Sequence, residues 1–185
     1  MTRIVLTLTL VLSGLAGLSA QQQGTSFDLK AWNVVGDANW TVMDDVIQAD
    51  KGSGFLVTPM AYSDFQMTVD IWVNDEANSG VFIRCSDPKM ITATNAYEVN
   101  IFDKRPDPAY RTGAIVNVAK PLAMVNAGGK WNALEITAKG PKMTVVLNGV
   151  TTVRDAEDTK FVRGPIALQY GAGVVKFRNV RIRGL

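Results

Sequence analysis

The chain has no histidine and a single cysteine, Cys85, in 185 residues. Without histidine no Ser–His or Cys–His nucleophile pair can form, and the commonest zinc ligand is missing. One cysteine rules out an internal disulfide, so the fold must hold by packing alone. Cys85 lies in an apolar run and reads as a small buried residue rather than a catalytic thiol. Charge of one sign is also scarce. The net charge is +2, and the basic residues gather only at Lys176, Arg178, Arg181 and Arg183, where they alternate along one strand like a solvated face. Nothing in this pattern points to nucleic acid, haem or a nucleotide. After the first twenty residues no apolar stripe of helical period and helix length occurs, and there is no internal repeat.

What is present begins with a leader. Arg3 precedes an apolar run from Ile4 to Leu18, then the small residues Ser19 and Ala20, then three glutamines. Residues 1–20 therefore read as a secretory signal peptide, and the expectation is an exported protein, periplasmic or extracellular. The run is short for a membrane span, so no stable anchor is expected once the leader is cleaved. The roughly 165 residues that remain suit one domain, placed at 25–185.

That domain reads as β almost throughout. Phe65, Met67, Val69, Ile71 and Val73 alternate with Gln66, Thr68, Asp70 and Trp72, the period of a half-buried strand. Asn148-Gly149 between two β-branched runs is a strong hairpin signal. Val46–Ala49, Phe55–Thr58, Val81–Cys85, Tyr97–Phe102, Ala114–Val118, Ala133–Ala138 and Ile166–Gln169 read as further strands. A last one runs from Val174 to Arg183, with a phase slip near Asn179 that suggests a bulge. Many short strands separated by turn residues give a sandwich or barrel. The long irregular stretches, 86–95 and 104–112, are of the kind that shape a binding rim.

One stretch, Asn78 to Asp103, gathers polar residues beside two apolar strands. Alternation puts Glu98, Asn100 and Phe102 on one face, and Arg84 on the face of Phe82. If the two polar sides line one concave sheet, Arg84, Glu98 and Asp103 meet over a ligand. The plainer alternative is an Arg84–Glu98 ion pair with a surface Asp103. Trp72, on the polar side of its strand, is either a stacking platform for a sugar ring or partly covered by a loop. Trp32, Trp40 and Trp131 read as packing.

The blocks YSDFQMTVDIWV, NSGVFIRC, AYEVNIFD, GKWNALEI, VVLNGV, GPIALQY and VKFRNVRIR together resemble the 3-keto-disaccharide hydrolase domain family. The resemblance implies an all-β, two-sheet antiparallel β-sandwich, the concanavalin A-like jelly roll. It also implies a hydrolase or lyase acting on 3-keto-glycosides, with a carbohydrate as substrate or ligand. Carried onto this chain, Glu98 is the expected base, Arg84 the stabiliser of an enolate, and Asp103 an acid or cation ligand. Asn78, Asn100, Trp72, Gln169 and Tyr170 would bind the sugar, and Asp103 with Glu98 could hold an oxygen-ligated divalent cation. The chain departs from the family pattern in two places. Asn100 stands where relatives often have Gln, and Tyr170-Gly171-Ala172-Gly173 follows Leu168-Gln169 where many have an acidic residue and His. Two other classes stay open: a non-catalytic carbohydrate-binding module of the same fold, and a protein-binding scaffold.

Overall fold

The alternation at 65–73 becomes a strand in which Phe65, Met67, Val69, Ile71 and Val73 are buried and the residues between them are half-exposed. The computed structural model describes residues 29–185, so the expected leader lies outside the described residues. Twelve strands follow in order: β1 Asn33–Gly36, β2 Thr41–Met43, β3 Val46–Ala49, β4 Gly54–Tyr62, β5 Phe65–Val73, β6 Asn78–Ile83, β7 Tyr97–Ile101, β8 Trp131–Lys139, β9 Lys142–Leu147, β10 Val150–Glu157, β11 Gly164–Ala172 and β12 Val175–Gly184.

They form two antiparallel sheets, one ordered β1-β4-β11-β6-β7 and the other β10-β9-β8-β5-β12-β3-β2. Between them lies the core. Leu56, Val81, Val99 and Leu168 come from the five-stranded sheet, and Met67, Ile71, Ile136, Val145 and Phe177 from the seven-stranded one. Each such side chain, fully buried, contributes about 1.5–3 kcal/mol, which is how the domain holds without a disulfide. The architecture is the two-sheet jelly-roll sandwich.

Two local signals act as expected. Asn148 and Gly149 both take positive φ, 52° and 78°, the geometry of the type I′ hairpin turn. β12 shifts register between Arg178 and Arg181. Asn179 takes the left-handed conformation there, φ 53°, and donates to Asp70 Oδ2 at 2.8 Å.

One expected strand, Ala114–Val118, is instead a tight loop. Ile115 N donates to Ala119 O at 2.9 Å around Asn117 at φ 62°. Val116 N caps the free edge of β7 by donating to Glu98 O at 2.9 Å. An edge strand covered in this way cannot pair with another chain.

Candidate functional site

Strand register sorts the outer face of the five-stranded sheet into two rows. The first reads Val35, Phe55, Gln169, Gly80, Asn100 across the strands, and the second reads Asn33, Val57, Ala167, Phe82, Glu98. Between them runs an inward row that includes Leu56, Leu168, Val81 and Val99. The β4 side of this face is apolar. Val57, Phe82 and Ala167 pack with Cys85, Ala96 and Ile91 into a small second core, and Phe55 meets Phe82 edge-to-face with centroids 5.3 Å apart. Ile91 belongs to the 86–96 loop, which thereby closes over this half. The β7 side is polar.

Glu98 dominates the polar half. Gly80, beside it, has no side chain, and a Cβ built there would lie 3.3 Å from Glu98 Cγ and Oε1. The carboxyl therefore lies over a floor of bare backbone. Among the described residues no hydrogen bond or ion pair reaches it. Burial pushes its pKa up to about 7, with the positive charge of Arg105 pulling the other way. A carboxyl in that range changes protonation near neutrality, as a general base must.

Gln169 stands next to Gly80 in the first row. Its Oε1 is buried without a partner, and its Nε2 makes no hydrogen bond among the described residues. The Oε1 acceptor, shut off from water without a partner, is the costly part of that side chain. Asn100, buried, donates through Nδ2 to the Tyr110 carbonyl. Its backbone N donates to Ala114 O at 3.0 Å and its carbonyl accepts from Gly113 N at 2.9 Å. It thus pins the 110–114 loop along the edge of the site. Asn78 continues the outward parity of β6, and a Cβ at Gly171 would lie 3.3 Å from its Nδ2. Arg105, on the loop after β7, sets its guanidinium 5.8 Å from the Phe102 ring centroid, while its carbonyl accepts from Arg111 Nε at 2.9 Å.

The structure thus brings Glu98 and Asn100 onto one face, as alternation suggested, and strand register adds Gln169 and Asn78 to it. It does not bring Arg84 there. Arg84 is 1% exposed and sits just past β6 with φ 53°, which breaks the alternation and turns its side chain under the end of the sandwich. There Nε and Nη2 donate to Ser63 O at 2.9 and 2.7 Å, and Nη1 donates to Gly140 O at 2.9 Å and Phe161 O at 3.3 Å. Asp64 lies 3.4 Å away as its ionic partner. A guanidinium so committed ties three chain segments together and has no donor left for a substrate.

Asp103 is tied as well. Oδ1 accepts from Thr112 Oγ1 at 2.5 Å, and Oδ2 accepts from Ala127 N and Gly128 N at 2.8 and 2.9 Å. It anchors two loops beside a polar cleft of about 460 Å³ shared with Asp75 and Arg111. Trp72 lies on the outer face of the other sheet, in register with Trp131, with Lys176 Nζ 4.8 Å from its ring centroid. Tyr170 points inward. Its hydroxyl donates to Gly173 O at 3.0 Å and its ring meets Trp40 edge-on, so its hydroxyl does not serve the Glu98 face as the expected sugar ligand. Cys85 is buried with its thiol pushed up to about 12, too high for a nucleophile.

The expected cation does not fit these residues. Among the described residues no group of three or more acidic, Cys or His side chains converges. Both Asp103 oxygens already accept hydrogen bonds, and two carboxylates alone fall short of the six or more oxygens a calcium site requires. Phe55 and Arg105 were given no role from sequence. Gly80 and Phe82 share the parity of Asn78, a signal already present in NSGVF, whereas Arg105 sits on a loop that no periodicity describes.

With this geometry in place the family is clear: residues 23–183 match the model of the 3-keto-alpha-glucoside-1,2-lyase-like domain, and the chain belongs to that family. No curated protein matches it in sequence. Two solved candidate glycosyl hydrolases from Parabacteroides distasonis share the fold. One is 24% identical with TM-score 0.70, over 83% of this chain and 99% of the other. The second is 23% identical with TM-score 0.76, over 85% and 90%. The carbohydrate-binding module CBM66 from Bacillus subtilis is 20% identical with TM-score 0.67, over 83% of this chain and 96% of its own. Identities this low establish the fold, and activity must be argued from the site. Among the described residues no helix is long and apolar enough to cross a membrane.

Proposed function

We propose that the chain is an exported enzyme that cleaves glycosidic bonds of sugars carrying a ketone at carbon 3, with Glu98 as the base. The observation that carries this reading is the Glu98 carboxyl, half-buried over Gly80 with no hydrogen-bond or ionic partner among the described residues, its pKa raised by burial to about 7. A ketone at carbon 3 acidifies the hydrogen on carbon 2. Glu98 takes that proton, the carbon 1–oxygen bond breaks, and a double bond forms between carbons 1 and 2. The departing oxygen needs one proton, and Glu98 has just acquired one. Charge gathers on the ketone oxygen as the carbon 2 proton leaves, and Arg105 supplies the positive charge on this face. Gln169 and Asn78 offer amides for hydroxyls, and Asn100 holds the 110–114 loop beside them. The product is an unsaturated sugar in a lyase; in a hydrolase, water then adds at carbon 1.

The family description supports the reaction class, and the leader supports export to the periplasm or beyond. A second reading, recognition of a carbohydrate without turnover, draws on the likeness to CBM66 and on the want of a histidine. Release of sugar from 3-keto-trehalose and 3-keto-lactose by the wild-type chain and by Glu98→Gln separates the two. Turnover lost in the variant supports the enzyme. Binding by both with turnover by neither supports the module. Mature protein beginning at Gln21 in the culture fluid or periplasm would support export.

A further inference from the structure

Arg105 sits on an irregular loop, and a long side chain on a loop keeps one direction only if something holds it there. Three contacts do so. Its backbone N donates to Phe102 O at 3.3 Å, which folds the chain back over the end of β7. Its guanidinium carbon then lies 5.8 Å from the Phe102 ring centroid. Phe102 has the parity of Glu98 and Asn100, so the charge stands on the Glu98 face. From the far end of the loop, Arg111 Nε donates to the Arg105 carbonyl at 2.9 Å. Arg111 is itself anchored. Its N donates to Pro108 O at 3.3 Å, and its carbonyl accepts from Ala114 N at 3.0 Å. On either side of it Tyr110 and Thr112 are tied to Asn100 and Asp103. Arg111 thus clasps the 105–111 loop from within. Glu98 is flanked by Gly80 and Phe82 on β6 and by Val116 at the free edge, and the one charge among the described residues that bears on it is Arg105.

We propose that Phe102 and Arg111 are positioning residues for the reaction: the Phe102 ring supports the Arg105 guanidinium, and the Arg111 clasp fixes the backbone that carries it. The proposal rests on the cleavage reading of the Glu98 face and deepens it, by assigning what aims the charge that meets the developing ketone oxyanion. A guanidinium free to swing into water acts through a high dielectric and is screened by salt. Held on the face, it needs no reorganisation as the carbon 2 proton leaves. The ring suits this task because a planar cation stacks on an aromatic face with little loss of hydration. The clasp suits it because a side chain that bonds the Arg105 carbonyl restrains the backbone and leaves the Arg105 side chain itself unencumbered.

Titration of the Glu98 carboxyl by carbon-13 NMR in the substrate-free protein reads the clasp without any turnover. Arg105→Gln removes the charge and should raise the Glu98 midpoint by at least about 0.5 pH unit. Arg111→Gln keeps Arg105 but opens the clasp, and should shift the midpoint the same way by part of that amount. Phe102→Leu should do likewise, and Phe102→Tyr, which keeps a ring, should not. In an Arg105→Gln background neither Arg111→Gln nor Phe102→Leu should move the midpoint further, whereas a general loosening of the fold would. With a 3-keto-disaccharide, Arg111→Gln should lower kcat about fivefold and leave KM within about twofold. An unmoved midpoint in Arg111→Gln and Phe102→Leu overturns the proposal, as does a shift of equal size in the Arg105→Gln background. Failure of the cleavage reading looks different: the midpoints would follow the clasp while the wild-type chain released no sugar.

Discussion

The carboxyl of Glu98 rests on the backbone of Gly80, close enough that a Cβ at Gly80 would stand 3.3 Å from its Oε1. That distance is tight but not prohibitive, because the neighbour is the flexible end of a side chain. Gly80→Ala should therefore fold, with stability within about 1 kcal/mol of wild type, and should displace the carboxyl by a few tenths of an ångström. If Glu98 acts on a substrate proton, kcat/KM for a 3-keto-disaccharide should fall about tenfold or more, since catalytic geometry is steep in distance. Unaltered kinetics with an unaltered melting temperature would detach Glu98 from the chemistry.

Stability should carry the mark of the same carboxyl. Its folded pKa is raised to about 7 by burial, against about 4.3 in an unfolded chain. The folded state thus holds this proton more tightly. Its contribution is greatest below the unfolded value and is lost as pH rises from about 4.3 through 7. Allowing for partial exposure, on the order of 2 kcal/mol should disappear across that window. Urea midpoints at pH 5 and pH 8 should show the decline in wild type and a flatter line in Glu98→Gln. Parallel lines for the two proteins would mean that Glu98 is not desolvated as described.

Arg84 is predicted to matter for folding and not for chemistry. Removing it strands the carbonyls of Ser63, Gly140 and Phe161 at the closed end of the sandwich. Arg84→Ala should cost at least about 3 kcal/mol, as breaking buried charged networks does. Arg84→Lys should also be destabilised, because a single ammonium lacks the guanidinium's forked reach. A variant as stable as wild type but without turnover would restore Arg84 to the site.

Trp72 provides a control on the opposite surface. Its ring is stacked beneath Lys176 and aligned with Trp131, which lies 4.0 Å from the Arg178 guanidinium. Trp72→Ala should cost on the order of 1 kcal/mol in stability through the lost cation–π contact and packing, and sugar affinity should not change. A drop in sugar affinity with no loss of stability would place a ligand on this outer sheet instead.

Much of this arrangement is legible in the chain because strand parity is strict. The alternation of 65–73, the Asn148-Gly149 turn and the slip at Asn179 each specify backbone geometry locally, and the structure contains all three. Parity likewise puts Glu98 and Asn100 on one face, to which strand register adds Asn78 and Gln169. It misleads at Arg84, where a positive φ just beyond β6 ends the alternation, so a residue expected outside turns in. At Trp72 parity is right but cannot say which of two outer faces the strand presents. Tyr170 follows Gln169 and so faces the core, where its hydroxyl finds Gly173. The edge strands β1 and β2 carry almost no burial contrast, and without contrast there is no pattern to read. Arg105 reaches the site from a loop, by a path set only in three dimensions.

The most direct test of the central claim is the pH dependence of kcat/KM for cleavage of a 3-keto-disaccharide by wild-type chain and by Glu98→Gln. Glu98 as base predicts activity that rises with pH through an apparent pKa near 7 and levels off above it. In Glu98→Gln that activity should drop by about a hundredfold or more, while the glutamine variant still binds sugar. A variant that turns over at the wild-type rate, or a wild-type profile that is flat between pH 5 and 9, would contradict it.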